Sequence, residues 1–227
     1  MDTKEMETRI KELEEKVRVL EDLEAIKRLQ RSYGYYLEHW MYEEVIDCFS
    51  DIPDAVLDIM AGIYLGKEGI RRYFTGEKDR YSNPEMLHQV MQLSGVVDID
   101  PDGKTAEGRW YGFGAIALPR GEGLIQNLTG GIYAAEYIKE GGKWKILRLS
   151  WNPCYSGTPA EGWVKPERLS TASIESGVAF PRSDKPRVLN PKYPSGYIVP
   201  FHYKHPVTGK ETSEREHNKA MNVKGAE

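Results

Sequence analysis

The feature that most constrains the fold of this chain is a change of hydrophobic periodicity near residue 51. Before it, apolar residues recur at helical spacing through residues 4–31, 30–37 and 42–49. The Pro-containing segment Asp51–Asp54 interrupts this pattern. After it, apolar and polar residues alternate in short runs separated by turn residues, which indicates strands joined by hairpins. Helices followed by a run of antiparallel strands predict an α+β fold.

Six strands and one short helix are predicted after the interruption. The helix is expected over Gly66–Phe74, and Asp100–Gly103 is a clear hairpin turn. The Gly-rich segment Gly108–Gly114 lies inside a strand pattern and predicts a kinked, curved strand. The strands are expected over Ala55–Met60, Ile63–Leu65, Met86–Ile99, Thr105–Leu118, Gly130–Lys139 and Lys143–Trp151.

The N-terminal helix carries a second pattern of its own. Its apolar residues follow the heptad spacing of coiled coils as far as Leu20, and steps of three residues then end that pattern. Two heptads are too short to hold an independent coiled coil. Two interpretations are therefore open: an amphipathic helix packed on its own domain, or a helical tail that supports an oligomer. The heptad residues are Met6, Ile10, Leu13, Val17 and Leu20.

Proline residues punctuate the chain from about Asn152 onward. Because this stretch still carries many aromatic residues, an ordered extension that wraps the domain is predicted rather than disorder. The polar and charged composition at the end of the chain predicts a disordered tail. The expected organisation is a helical extension over residues 1–20, one domain over 21–160, the extension over 161–206 and the tail over 207–227.

Charge and composition argue against several classes of function. A net charge of −4 gives no general attraction to nucleic acid or to an anionic membrane. No apolar run is long enough to span a membrane and the N-terminus has no apolar signal segment, so a cytoplasmic protein is expected. The 14 Tyr and 5 Trp against 5 Phe suit a pocket for a flat, partly polar ligand.

Metal and nucleotide chemistry also lack their usual motifs in this sequence. There is no Gly-rich nucleotide-binding motif, no zinc peptidase motif and no serine hydrolase motif. Two cysteines argue against a disulfide framework and exclude a site built of cysteine alone. Among the histidines only His202 and His205 are closely spaced, and two histidines seldom make a metal site. A metal site is therefore not expected.

Three short motifs carry a resemblance to a known family. They are the segment Tyr64–Ile70, the Leu87-His88 pair, and the Gly- and Tyr-rich stretch from Gly130 to Ile146. Over about residues 20–160 the chain resembles the SnoaL-like branch of the nuclear transport factor 2-like superfamily, which includes scytalone dehydratase. The resemblance implies a cone-shaped, curved antiparallel sheet closed by N-terminal helices. It also implies a deep cavity, chemistry without a cofactor, and a homotrimer packed through the sheet.

The same resemblance implies a set of catalytic residues. Hexachlorocyclohexane dehydrochlorinase and bile acid 7α-dehydratase pair an Asp on the helix before the first strand with a His on the long strand. The corresponding positions here hold Glu38 and His88, so Glu replaces the usual Asp. Tyr33, five residues before Glu38, matches a Tyr of the bile acid enzyme. Arg148 on the last strand matches its Arg approximately.

These residue types suit proton abstraction on chemical grounds as well. A base works best with a pKa near the working pH, which favours His88, and a carboxylate on the far ring nitrogen fixes the tautomer. Tyr33 and Arg148 would hydrogen-bond or stabilise an oxygen that gains charge or departs. The residues expected to contact the substrate are Trp40, Trp110, Tyr111, Asn152 and Tyr155.

The sequence therefore predicts a cofactor-independent lyase that acts on an aromatic or polycyclic small molecule. Water loss is one expected reaction, and carbon–carbon cleavage that expels formaldehyde from a diaryl substrate is another. Two alternatives stay open: a small-molecule binding module without chemistry, and an isomerase that uses the same base. The expected partners are the substrate and further copies of the chain, with a trimer favoured over a dimer.

Overall fold

A computed structural model of the chain describes residues 2–76, 86–120, 123–160, 162, 181–187 and 198–220. Helices precede the sheet, as predicted, and the α+β prediction is confirmed. The described elements are α1 (Thr3–Glu38), α2 (Tyr42–Asp47), β1 (Val56–Ile59), β2 (Gly62–Leu65), α3 (Gly66–Gly76), β3 (Leu87–Ile99), β4 (Thr105–Arg120), β5 (Gly123–Glu140), β6 (Lys143–Gly157) and α4 (Glu214–Ala220).

The strands form one curved sheet in the order β2-β1-β6-β5-β4-β3. Every neighbouring pair is antiparallel except β1 and β6, which run parallel. The sequence predicted antiparallel strands throughout. Strand β2 occupies one edge of β1, so β6 can pair only with the other edge of β1. The hairpins that join β3, β4, β5 and β6 set the direction of β6, and this direction is parallel to β1.

Helix α1 packs its C-terminal half across the inner face of the sheet. Its buried residues recur every three or four positions, which gives one continuous stripe along the helix. The stripe meets the inner-facing side chains of the strands, among them Val90 and Tyr137, and together they form the core. The buried residues of the helix are Asp22, Ile26, Gln30, Tyr33 and Leu37.

Strands β5 and β6 are longer than the sequence predicted. Strand β5 starts at Gly123 rather than Gly130, and β6 continues to Gly157 rather than Trp151. The Gly130-Gly131 and Asn152-Pro153 pairs resemble strand ends in the sequence. In the structure a register shift between Gly130 and Gly131 accommodates both pairs, so the ladder continues past them.

A second irregularity bends β3 around a buried tryptophan. The register of β3 shifts between Leu93 and Val96, and Ser94 takes a left-handed conformation with φ of 50°. A Cβ atom at Gly95 would lie only 2.2 Å from the Trp110 ring, so glycine is required there. The bulge therefore lets the strand wrap closely around Trp110 and contributes to the curvature of the sheet.

The described parts of the C-terminal region lie against the sheet. Ile63 on β2 forms a bridge with Lys185. On β4, Arg109 Nη1 donates to the Val199 carbonyl at 2.7 Å, and its guanidinium stacks over the Phe201 ring at 4.4 Å. Residues 161, 163–180 and 188–197 of the predicted extension lie outside the described residues.

Residues 214–220, which the sequence assigned to a disordered tail, form helix α4 in the structure. The buried Asn218 side chain explains this difference, since it accepts a hydrogen bond from Ile198 N at 2.9 Å and donates one to Ile198 O at 2.8 Å. A polar side chain of this segment therefore binds the backbone at Ile198. Residues 221–227 of the predicted tail lie outside the described part of the chain.

No described helix is long and apolar enough to cross a membrane.

Candidate functional site

His88 lies near the start of β3, on the face of the sheet that meets the helices. Alternation along the strand places His88 on the same side as Val90, which is buried, and Gln92. The Trp40 ring meets the imidazole edge-on, with 5.7 Å between ring centroids and an interplanar angle of 75°. The predicted base and one predicted substrate contact are therefore neighbours.

Burial lowers the pKa of His88 from 6.5 to about 4. The charged imidazolium is disfavoured because the partly buried ring is largely withdrawn from water. The ring is consequently neutral at physiological pH, which is the form that accepts a proton.

This lowered pKa predicts a pH dependence of stability. Between about pH 6.5 and pH 4 the unfolded chain binds a proton at His88 that the folded chain refuses, so stability falls as the pH falls through this window. The full shift corresponds to about 3 kcal/mol. The measurement is the unfolding free energy of wild type and His88→Gln from pH 8 to pH 4. A difference between the two that does not change with pH would contradict the buried neutral imidazole.

Trp40 is held over His88 by an unusual backbone conformation. It follows α1 with φ of 48°, a left-handed value that is costly for a residue with a bulky side chain. Its Nε1 donates to the Phe74 carbonyl at 3.3 Å, and its ring packs against the rings of Tyr73 and Phe74. Surrounding contacts thus fix a strained residue beside the histidine, and such strain is found most often at functional sites.

Glu38 reaches β3 at the residue that follows His88. Gln89 Nε2 donates to Glu38 Oε1 at 3.1 Å. The resemblance implied a pair of Glu38 with the imidazole, and in the structure the carboxylate instead bonds the adjacent amide. The end of α1 and the start of β3 are brought together as expected, but the dyad itself stays a prediction.

Tyr33 and Arg148 occupy different environments. Tyr33 is buried in the core, edge-on to Phe49 with 6.0 Å between centroids. Arg148 is half-exposed, and its Nε pairs with Glu136 Oε1 at 3.1 Å. Its neighbour Leu149 is fully buried, so Arg148 points to the opposite, outer face of the sheet. The structure does not bring Arg148 to His88.

A register shift explains the position of Arg148. Simple alternation from Trp144 and Ile146 places Arg148 on their face. The ladder between β5 and β6 shifts between Glu136 and Tyr137, so the two residues after Ile146 do not keep the alternation. Such a bulge has no clear signature in this sequence.

Trp110 and Tyr111 lie on opposite faces of β4. Trp110 is 2% exposed, and its Nε1 donates to the Tyr137 hydroxyl at 2.9 Å. That hydroxyl donates to Gln30 Oε1 at 2.8 Å, and Gln30 Nε2 donates to Gln92 at 2.9 Å. Tyr111 is 59% exposed on the outer face. Trp110 thus belongs to a buried polar chain that ties α1 to three strands, and Tyr111 lies away from it.

The last two predicted contacts lie on β6. Asn152 Oδ1 accepts a hydrogen bond from Arg187 Nη2 at 2.7 Å, and Arg187 Nε pairs with Asp58 at 3.1 Å. Burial raises the pKa of Asp58, and the Arg187 charge opposes this. Tyr155 packs its ring against Gly130, where an added Cβ would lie 2.2 Å from the ring. Asn152 is thus engaged by the C-terminal region.

Two polar clusters were missed by sequence reasoning. Gln92 could have been found, because alternation along β3 places it on the same face as His88. Arg187 carries no such signal, since it lies in a Pro-rich segment without periodicity. Within the described ranges, no group of three or more His, Cys, Asp or Glu side chains could hold a metal ion.

Comparison with known proteins adds to this geometry. Residues 18–150 match the family model described as SnoaL-like domain. A hexachlorocyclohexane dehydrochlorinase of type 3 from Novosphingobium barchaimii LL02 has a similar fold, with a TM-score of 0.51 and 19% identity, over 66% of this chain and 99% of that one. A type 2 dehydrochlorinase gives a TM-score of 0.50 and 21% identity, over 66% and 97% of the two chains.

A third similar structure comes from Novosphingobium aromaticivorans DSM 12444 and is assigned as a scytalone dehydratase. It gives a TM-score of 0.50 and 16% identity, over 63% of this chain and 91% of that one. At these identities the likeness concerns the fold alone.

Proposed function

The chain belongs to the SnoaL-like domain family, and on this premise we propose that it is a cofactor-independent lyase that abstracts a proton with His88. The substrate is an aromatic or polycyclic small molecule. The observation that carries the proposal is the neutral imidazole of His88 on the inner face of the sheet, in contact with the ring of Trp40. A neutral imidazole accepts a proton, and an aromatic wall favours a flat substrate.

Glu38 supplies the negative charge that the protonated base needs. Its carboxylate is bonded to Gln89, the residue next to His88. In the proposal it exchanges this amide for the imidazole N–H when the proton arrives, because an imidazolium attracts a carboxylate more strongly than an amide does. Tyr33 hydrogen-bonds the substrate oxygen. Arg148 is not part of the mechanism, since it pairs with Glu136 on the other face.

The same base supports two eliminations. In a dehydration, His88 takes a proton from carbon, the carbon–hydrogen electrons form a double bond, and the neighbouring carbon–oxygen bond breaks. The departing hydroxide takes up the proton that His88 has gained, so that water leaves and the imidazole is neutral again. In a carbon–carbon cleavage, His88 takes the proton of a hydroxymethyl group. Formaldehyde then departs, and the electrons of the broken carbon–carbon bond expel a leaving group on the next carbon. The identity of the product distinguishes the two reactions.

One observation favours a second function, that of a small-molecule binding module. The Glu38 carboxylate bonds an amide, and a histidine with a pKa of about 4 is a weak base without its carboxylate. An isomerase would use the same base as the lyase and return the proton elsewhere on the substrate.

The test is an assay of the wild-type chain against diaryl, phenolic and hydroxy-steroid compounds, with no cofactor and with EDTA. A product with a new double bond, or release of formaldehyde, is expected from at least one compound. Chromatography with mass spectrometry identifies it. Compounds that raise the melting temperature but stay unchanged after long incubation would overturn the lyase and favour the binding module. A product of unchanged mass would favour the isomerase.

The pKa of His88 also predicts the pH profile of the reaction. Because the base is neutral in the free protein above about pH 4, kcat/KM should stay level from pH 8 to about pH 5 and fall below it. The profile of kcat should fall at a higher pH, because Glu38 raises the pKa of the imidazole in the substrate complex. A kcat/KM profile that already falls near pH 6.5 would contradict the burial of the base.

A further inference from the structure

The N-terminal half of α1 extends away from the domain. Residues 2–17 are all exposed, and the first buried residue of the helix is Asp22. The N-terminus of the helix is nevertheless closed by a capping box. The Asp2 side chain accepts a hydrogen bond from Glu5 N, and the Glu5 side chain accepts one from Asp2 N. At 1.5 Å per residue the projecting part is about 22 Å long.

An apolar stripe along this projecting helix is left exposed in the described part of the chain. The five heptad residues are between 43% and 62% exposed, so this face of the helix is not packed on the described residues of its own domain. In heptad notation, Ile10 and Val17 take position a. Met6, Leu13 and Leu20 take position d. A stripe of this spacing is the seam of a coiled coil.

The charges beside the stripe identify the partner. The e positions hold Glu7, Glu14 and Glu21, and the g positions hold Arg9 and Lys16. In a parallel pair of identical helices, each g residue faces the e residue of the next heptad on the other copy. Arg9 then meets Glu14 of the other copy, and Lys16 meets Glu21. An antiparallel pair would set basic g positions against each other, and likewise the acidic e positions.

We propose that residues 3–21 of two copies of this chain form a parallel, in-register, two-stranded coiled coil. The apolar residues agree with this number, because β-branched residues at a and Leu at d favour two strands. The helix meets a second copy of itself, and the charges at e and g select the parallel orientation. A trimer, which the resemblance favoured, is not what this helix encodes.

The core of the domain stabilises the helix to which the short segment 3–21 belongs. Isolated short helices are marginal because the first turn is costly to form. Here α1 continues into the core, where Asp22 Oδ1 accepts hydrogen bonds from Lys139 Nζ at 2.7 Å and Trp144 Nε1 at 2.8 Å. The projecting turns therefore extend a helix that the domain already holds, and the two heptads need only supply the apolar contacts between the copies.

Charge reversal of the full chain tests the proposal. Glu14→Lys with Glu21→Lys makes both flanks of the seam basic, and Arg9→Glu with Lys16→Glu makes both acidic. Light scattering should show the mass of each double variant fall from twice the 25.9 kDa of one chain to that of a single chain. An equimolar mixture should return to the double mass. The control, Glu12→Lys with Glu15→Lys, makes the same charge change away from the seam and should keep the wild-type mass.

Three results would overturn the proposal. They are a wild-type mass of one chain, a wild-type mass of three chains, and double variants that keep the wild-type mass. Circular dichroism of each variant shows whether the helix content is unchanged, so that a lower mass reports association rather than unfolding.

Cross-linking tests the orientation separately. In a parallel pair Met6 faces Met6 of the other copy, so Met6→Cys should form a disulfide-linked dimer under mild oxidation. Thr8→Cys, at the outward f position, should not. An antiparallel pair packs a positions against d positions and would place Met6 beside Val17 of the other copy, so absence of the link at position 6 would overturn the parallel arrangement.

Discussion

Replacing His88 with alanine is expected to lower kcat by about a hundredfold or more, because general base catalysis by a positioned side chain typically contributes a factor of this size. KM should change little. Proton abstraction is an interaction of the transition state, so its loss lowers kcat and kcat/KM together. The measurement is steady-state kinetics on the compound that the wild type converts.

The control for this substitution is Leu87→Ala, the adjacent residue of β3, whose side chain is half-exposed on the other face of the strand. It should retain wild-type kcat. Added imidazole should restore part of the rate to His88→Ala, since the deletion leaves space where the ring stood, and it should not affect the control. A His88→Ala protein that keeps more than about a tenth of the wild-type rate would remove His88 from the mechanism.

Replacing Trp110 with alanine is expected to cost about 3–5 kcal/mol of unfolding free energy, the range for large aromatic residues of a packed core. The ring is 2% exposed and fills the concave side of the bulge at Gly95. Its removal also deprives the buried Tyr137 hydroxyl of a donor, which adds the penalty of an unsatisfied polar group. Urea denaturation of the full chain measures the change.

The adjacent residue supplies the matched control. Tyr111→Ala also removes a large aromatic ring from β4, but this ring is 59% exposed on the outer face. Its cost should stay within about 0.5 kcal/mol. If Trp110→Ala cost less than Tyr111→Ala, Trp110 would be a substrate contact rather than the structural residue that its burial indicates.

The order of the elements could be predicted from the sequence because each element has its own local hydrophobic period or turn motif. Periods of 3.6 and 2 residues distinguished the helices from the strands, and Asp100–Gly103 marked the β3–β4 hairpin. The limits of β5 and β6 could not be predicted, since Gly130 and Pro153 end strands in most contexts. A bulge, which depends on the neighbouring strand, let both strands continue here.

The candidate site divides in the same way. The face of His88 follows from alternation along one strand, and the contact with Trp40 follows once α1 crosses that strand. The hydrogen-bond partner of Glu38 depends on where the end of α1 lies along β3. A displacement of one residue along the strand decides between His88 and Gln89. Arg148 was placed by counting along β6, and one register shift moved it to the other face.

The class of fold, the family, the strand that carries His88 and the heptad spacing of the N-terminal helix could be predicted from the sequence alone. Each of these depends on a local period or on residue identity, and neither changes when the chain folds. The folded chain was needed to show which strand pairs parallel, which side chain Glu38 bonds, and that Arg187 reaches Asp58 and Asn152. These contacts join residues far apart in the chain, and their geometry depends on bulges and crossings that no local pattern encodes.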